Sequence, residues 1–389
     1  MSKLEELMEE YCPNGVEYKT IDNISKVLRG KRLTKNLLIE SGDYPVFHGG
    51  LSPLGYYDES NREANTTMVI NVGASAGTVG FSSVEFWSSD GCYCIEHSPH
   101  VISRYLYYAL ICQEEHIKSR VRYAGIPTLD AKVVEKLVIP VPPLEVQSEI
   151  VRILDNFTEL TAELTAELTM RKQQYEYYRD SLLTFGDEVP HLPMGNEKLG
   201  IFIRGGSFQK KDFLEEGIGC IHYGQIFTYY KTYANETKTF INEELARKCR
   251  KAQNGNLIIA TTSENDEDVC KAVTWLGNEE IAISSDACIY KHHMNPKYVS
   301  YFFQTEQFQS QKRQYITGTK VRRVNADNLA KILIPIPPIE EQERIVDILD
   351  KFDTLTNSIS EGLPYEIELR KKQYEYYRDK LLTFKRLEV

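Results

Sequence analysis

Residues Ile150, Leu154, Phe157, Thr161, Leu164, Leu168, Arg171, Tyr175, Tyr178 and Leu182 are spaced by four and three alternately. This is a heptad seam, interrupted by the small Thr161 and the charged Arg171. It predicts one helix from about Leu144 to Phe185, ~60 Å long at about 1.5 Å per residue. Pro142 and Pro143 cannot lie inside such a helix and set its start. A second seam runs through Ile345, Leu349, Phe352, Thr356, Ile359 and Leu363, stutters by four residues, and resumes at Tyr374, Tyr377 and Leu381. Four residues make nearly one turn, so the apolar face is almost kept. Gly362 and Pro364 at the stutter predict a kink or a break into two helices. The amphipathic start, Leu4 to Glu10, reads as an extension of this helical layer that continues the second helix.

Elsewhere the pattern changes. Residues 19–136 and 197–332 alternate short apolar runs (TMVINV, NLIIATT, IAISSDACIY) with turns rich in Gly, Asn and Ser, which predicts mostly β-structure. Each region ends in a helical stretch, RYLYYALICQEEHIKSRV and KYVSYFFQTEQFQSQKRQ. The expected fold class is α+β: two tandem, mostly-β domains joined by two long antiparallel helices in an intramolecular coiled coil with pseudo-two-fold symmetry.

The tandem character rests on self-similarity. VIPVPP (138–143) returns as LIPIPP (333–338), and IVRILDNFTEL (150–160) as IVDILDKFDTL (345–355), both at an offset of 195. QYEYYRDSLLTF (174–185) returns as QYEYYRDKLLTF (373–384) at an offset of 199. The regions ahead are far less alike, although FWSSDGCYCIEH (86–97) echoes AISSDACIYKHH (282–293), and VFHGG (46–50) echoes CIHYGQ (220–225). Matched scaffolds carrying divergent domains suit two recognition modules of different specificity. The predicted layout is an N-terminal helical segment 1–18, a recognition domain 19–143, a spacer helix 144–185, a linker 186–196, a second recognition domain 197–338, a second spacer helix 339–384 and a tail 385–389.

The net charge of -10 argues against nucleic acid until its distribution is considered. Residues 1–10, 137–185 and 333–389 carry -3, -4 and -3, so the predicted β-regions are together neutral. Basic clusters lie within them, and the DNA-contact candidates drawn from these are Arg29, Lys31, Arg32, Arg120, Arg122, Lys210, Lys320, Arg322 and Arg323. In GTKVRRVN (318–325) the arginines suit a guanine edge or a phosphate, and an ordinary exposed turn accounts for them equally. The first copy has GIPTLD at this place. His48 and His222 stand at matching places before glycines and are candidates for base or phosphate contact. The glycines of NVGASAGTVGF (71–81) predict tight turns between strands, not a nucleotide loop. The eight scattered cysteines have no zinc-ligand spacing and read as reduced thiols. With no long apolar run and an acidic start, a cytoplasmic location without membrane association is expected.

The chain has no [DN]PP[FY] loop, no FxGxG, no Walker A motif and no convincing PD…ExK core. A stand-alone adenine methyltransferase or nuclease is the rival reading, and these gaps count against it. The duplicated IPVPPLEVQSEIVRILDNF and IPIPPIEEQERIVDILDKFDTLTNSISEGLP, the paired QYEYYRD…LLTF and the TAELTAEL of the first helix resemble the specificity subunits of type I restriction-modification enzymes, in the branch with TAEL repeats. The resemblance implies a non-catalytic subunit that recognises a bipartite double-stranded DNA target. It also implies two methyltransferase subunits bringing S-adenosylmethionine, and restriction subunits bringing ATP and magnesium, with no cofactor in this chain. Within TAELTAEL, Thr161, Leu164, Thr165 and Leu168 are expected to form a ruler segment, each unit adding ~6 Å and about one turn.

Overall fold

The computed structural model describes residues 3–358 and 360–387. The seam position Ile359, the first two residues and the last two of the tail lie outside them. The chain divides into two compact units, 1–164 with 366–389, and 165–365.

In the first unit, antiparallel strands Val27–Arg29, Cys92–Ile95, Thr66–Ile70 and Val79–Ser82 form a sheet in that order. Gly55–Tyr57, Tyr44–Phe47 and Trp87–Ser88 form a second. Thr66–Ile70 is buried at every position, which is why its residues do not alternate between apolar and charged. Between it and Val79–Ser82, Gly73 and Gly77 take positive φ in a tight connection, as the glycine pattern predicts. The second unit repeats the plan with an edge strand added to each sheet; the larger is Gly200–Arg204, Ala287–His292, Leu257–Ala260, Ala272–Trp275 and Tyr233–Ala234. Its smaller sheet comprises Thr239–Ile241, Ile218–Ile221, Ile281–Ile283 and Lys251–Ala252. All eight cysteines are free.

The first spacer helix runs Leu144–Leu182 without interruption. The second is broken, as Gly362 and Pro364 predict, into Ile339–Asn357 and Gly362–Leu381. Gly362 holds φ at +77°, and a Cβ there would stand 2.5 Å from the Thr354 carbonyl oxygen, so only glycine fits the turn.

Within the first unit, Phe157 stacks on Tyr377 with centroids 5.5 Å apart; within the second, Phe352 stacks on Tyr178 at 5.5 Å. Phe157 corresponds to Phe352, and Tyr178 to Tyr377. In each unit the early part of one copy's helix thus meets the late part of the other's, an antiparallel coiled-coil pairing with the roles exchanged. The helix Lys3–Tyr11 joins this layer in the first unit: Leu4, Leu7 and Met8 lie on the core containing Ile150, Leu154 and Leu382.

The joint between each β-region and its spacer helix is also duplicated. The Gln147 amide accepts from the Ile102 N–H (2.8 Å) and donates to the Pro142 carbonyl (2.7 Å). Gln342 does the same with Asn295 (2.9 Å) and Pro337 (2.9 Å). The Tyr105 hydroxyl donates to the Pro140 carbonyl and the Tyr298 hydroxyl to that of Pro335, both at 3.1 Å. Tyr108 and Arg104 converge on Asp155 at 2.5 and 2.7 Å; Tyr301 and Lys297 converge on Asp350, both at 2.6 Å.

Candidate nucleic-acid interface

Five loops meet at one end of the β-structure in each unit, and the same hydrogen bonds tie them together. In the first unit the Lys31 N–H donates to the Ser88 carbonyl (2.9 Å), Ser89 to Phe47 (2.9 Å), Asn71 to Gly91 (3.0 Å) and Leu129 to Asn71 (2.8 Å). In the second, Gly206 donates to Ile283 (2.7 Å), Ser284 to Ile221 (3.2 Å), Thr261 to Asp286 (3.0 Å) and Val324 to Thr261 (3.1 Å). The segments 88–91 and 283–286, which contain the Ser-Ser-Asp motifs, form the hub, the bonds of the second falling one residue earlier relative to its motif. Their backbone groups are engaged by neighbouring loops, so the loop frame is rigid while the outward side chains are free to differ.

In the first unit this frame gathers Arg29, Lys31 and His48. The Arg29 carbonyl accepts from the Arg62 guanidinium at 3.0 Å, and the Lys31 ammonium lies 5.9 Å from the centre of the Trp87 ring. Arg32 is exposed on the chain leaving the frame. His48 Nδ1 is 3.4 Å from Asp90 Oδ1, and a Cβ on Gly91 would strike the ring at 2.6 Å. Arg120 is exposed at the end of the helix Glu114–Ser119. Arg122 opens a hairpin and pairs with Asp130 at 3.3 Å.

In the second unit His222 caps the helix Tyr223–Thr228, its Nδ1 accepting from the Gly224 N–H at 3.2 Å. It is 8% exposed among the rings of Phe208, Phe213 and Tyr223. Burial, and then the Lys210 ammonium, hold its pKa below the usual histidine value. The structure therefore gives its ring nitrogen a capping role and leaves Lys210, beside it, exposed. Arg322 donates to Asp266 (2.8 Å) and to the Gly318 carbonyl (2.6 Å), while Lys320 stands exposed between them in sequence. Arg323 lines a cavity of about 260 Å³ with Arg204, Thr261, Ser285, Asp286 and Asn325. Arg204 is a residue that sequence reasoning missed; its Nε donates to the Ser285 carbonyl at 3.1 Å. The signal was present as an Arg-Gly pair in both copies, Arg29-Gly30 and Arg204-Gly205. Each glycine is pressed on a Ser-Ser-Asp carbonyl, with a Cβ reaching 2.0 and 2.1 Å from it.

On the first spacer helix, Leu164 and Leu168 are half-buried, and the Thr161 hydroxyl bonds back to the Phe157 carbonyl at 2.8 Å. Thr165 is exposed, and its carbonyl accepts from the Thr169 hydroxyl at 3.0 Å. The boundary between the two compact units falls between Leu164 and Thr165, inside the repeat.

Residues 13–170 and 201–369 match the model of the type I restriction modification DNA specificity domain. The chain belongs to that family. Two matches to one domain model also express the internal duplication. The specificity subunit of Escherichia coli EcoR124I/EcoR124II is 40% identical over 265 residues, which span 66% of this chain and 65% of that relative. The Haemophilus influenzae chain named as type I restriction enzyme specificity subunit S.HindORF215P is 30% identical over 98% of both chains. Among solved structures, the type I S subunit from M. genitalium covers 94% of this chain and 95% of its own, at 17% identity and a TM-score of 0.55. A chain from a structure of a type I restriction-modification system, described for its assembly and conformational transition, covers 95% and 98% at 14% identity and a TM-score of 0.58. The fold is thus that of specificity subunits, the recognition components of these systems rather than their catalysts. Among the described residues no helix is long and apolar enough to cross a membrane, and no three His, Cys, Asp or Glu side chains are grouped to hold a metal ion.

Proposed function

We propose that this chain recognises a bipartite double-stranded DNA target, one half-site per unit, for a type I restriction-modification complex. The observation that carries this reading is the duplicated loop frame: backbone hydrogen bonds repeat bond for bond, while the side chains they present differ. Such a frame suits two readers of one design and two specificities, with residues 19–143 and 197–338 as recognition domains and 144–185 and 339–384 as spacers. In this reading Arg29, Lys31, Lys210, Lys320 and Arg323 meet phosphates or base edges. The acidic total suggests weak DNA binding by the isolated chain, with partners supplying much of the phosphate contact.

Those partners are two methyltransferase subunits, carrying S-adenosylmethionine, and restriction subunits using ATP and magnesium. The duplicated QYEYYRD supports a repeated docking face. Its outer tyrosines, Tyr177 and Tyr376, are 69% and 61% exposed although the segment is the best-matched part of the two copies. Mapping methylated adenines genome-wide in source cells with and without this chain tests the reading. A split motif should vanish with the chain, and an unchanged map would refute it. Purified chain given S-adenosylmethionine and DNA should transfer no methyl group.

A further inference from the structure

The loop frame ends, in both units, in a hairpin of the same construction. The backbone N–H of Arg122 donates to Thr128 (2.8 Å) and that of Thr128 to Arg122 (3.0 Å); Thr317 and Arg323 exchange the same pair, both at 2.9 Å. Thr128 bridges to Val72 and Arg323 pairs with Thr262, so each hairpin is rooted on the matching strand end. The Gly73 N–H adds a bond to the Pro127 carbonyl at 2.9 Å. Gly125, at φ +90° with open space around it, lets the first turn project.

The two tips differ in kind. The second carries Lys320 and Arg322, with Val321, 44% exposed, at the place of Ile126, and has Arg323 at its root. The first carries Tyr123 and Ile126, which are 71% and 69% exposed. Among the described residues of the first unit no other large apolar side chain is as exposed. Burying two such side chains is favourable by about 1.5–3 kcal/mol each, and the folded chain forgoes that gain. They are held outward by a root with four backbone hydrogen bonds, not by lack of order. Arg120 and Arg122 flank the root, which gives the finger a cationic collar suited to phosphates.

We infer that Tyr123 and Ile126 form an apolar finger that reads the first half-site by contact with base faces and thymine methyl groups, where the second hairpin has a smaller apolar tip flanked by Lys320 and Arg322. This rests on the reading that the first unit binds DNA. Apolar side chains at base edges and steps discriminate sequence without hydrogen bonds, and the cations of the matching hairpin discriminate through them. The two half-sites are thereby read by different chemistry from one scaffold.

The test uses the full methyltransferase complex and the bipartite duplex taken from the methylation map. Tyr123→Ala with Ile126→Ala should weaken binding to that duplex about ten- to a hundredfold. Preference among first half-site variants should collapse, preference at the second half-site should persist, and the salt dependence of binding should keep its slope, because no ion pair is lost. Replacing first half-site thymines by uracils should weaken the unaltered complex and leave the double variant unaffected. An unchanged first half-site preference overturns the inference, and so does loss of the methyltransferase subunits from the complex. The unaltered complex is the control that separates this failure from failure of the DNA-binding reading itself.

Discussion

His292 sits on the strand Ala287–His292 with its ring 5.0 Å from that of Tyr290, and burial lowers its pKa to about 4. Above about pH 6.5 the ring is neutral both folded and unfolded, and the second unit keeps its full stability. Between about 6.5 and 4 the unfolded chain takes up a proton that the folded chain refuses, so stability falls as the pH falls. Below about 4 both states are protonated and the loss levels off. The total loss is ~3 kcal/mol at about 1.4 kcal/mol per pH unit. His292→Phe should therefore flatten the fall in urea midpoint between pH 7 and pH 4.5, and equal slopes for both proteins would rule this out. A buried lysine, by contrast, acts through its hydrogen bonds. Lys312 is fully buried, and its ammonium donates to the Asp266, Glu267 and Val269 carbonyls at 2.8, 3.1 and 2.9 Å. These bonds fix the loop whose Asp266 holds Arg322. Lys312→Met would orphan three carbonyls and should cost about 2–4 kcal/mol in urea unfolding; a change under about 0.5 kcal/mol would refute this anchoring role. Neither role was legible in the sequence, where Lys312 is one of two adjacent basic residues at the end of a polar helix and His292 one of two adjacent histidines.

The spacer elements were the most legible, because a seam in steps of three and four needs only local spacing to be seen. The break at Gly362 was legible for the same reason, since glycine and proline act on their own backbone. The joints were not legible. Tyr105 and Tyr108 correspond to Tyr298 and Tyr301 at an offset of 193, whereas their partners, Pro140 and Asp155 in one copy and Pro335 and Asp350 in the other, are offset by 195. Only the folded chain restores that register. The TAEL units lie where the seam is thinnest, with Leu164 and Leu168 only half-buried and the threonines bonded back to their own helix. Such a segment tolerates a change of length, because a four-residue unit returns the apolar face nearly to its starting direction. Inserting a third TAEL after Leu168 should lengthen the unread spacer of the DNA target while both half-sites keep their bases. Methylation mapping of the variant decides the matter: an unchanged spacer or altered half-site bases would end the ruler reading.

Each unit as a whole has its own core, one built around Ile150 and Leu154 and the other around Ile345 and Leu349. The two recognition regions thus draw on different buried side chains, and destabilising one need not unfold the other. What each region requires of its scaffold is narrow: a glutamine straddling the Pro-Pro corner, a tyrosine on the proline carbonyl, and a tyrosine with a cation on one aspartate. These groups recur in both units, so a foreign domain that supplies them meets the same seat. Replacing residues 19–136 by the corresponding region of another family member with the two tyrosines and the cation in place should yield a folded chain. Its complex should methylate a hybrid motif in which the first half-site is new and the second unchanged. The same exchange with both tyrosines changed to phenylalanine removes two buried hydrogen bonds, one of them to a carboxylate. It should lower the unfolding free energy of that unit by about 2–4 kcal/mol without altering which bases are read. If the hybrid kept the original first half-site, or changed both, specificity would have to reside in the spacers, and the assignment of one half-site to each loop frame would be lost.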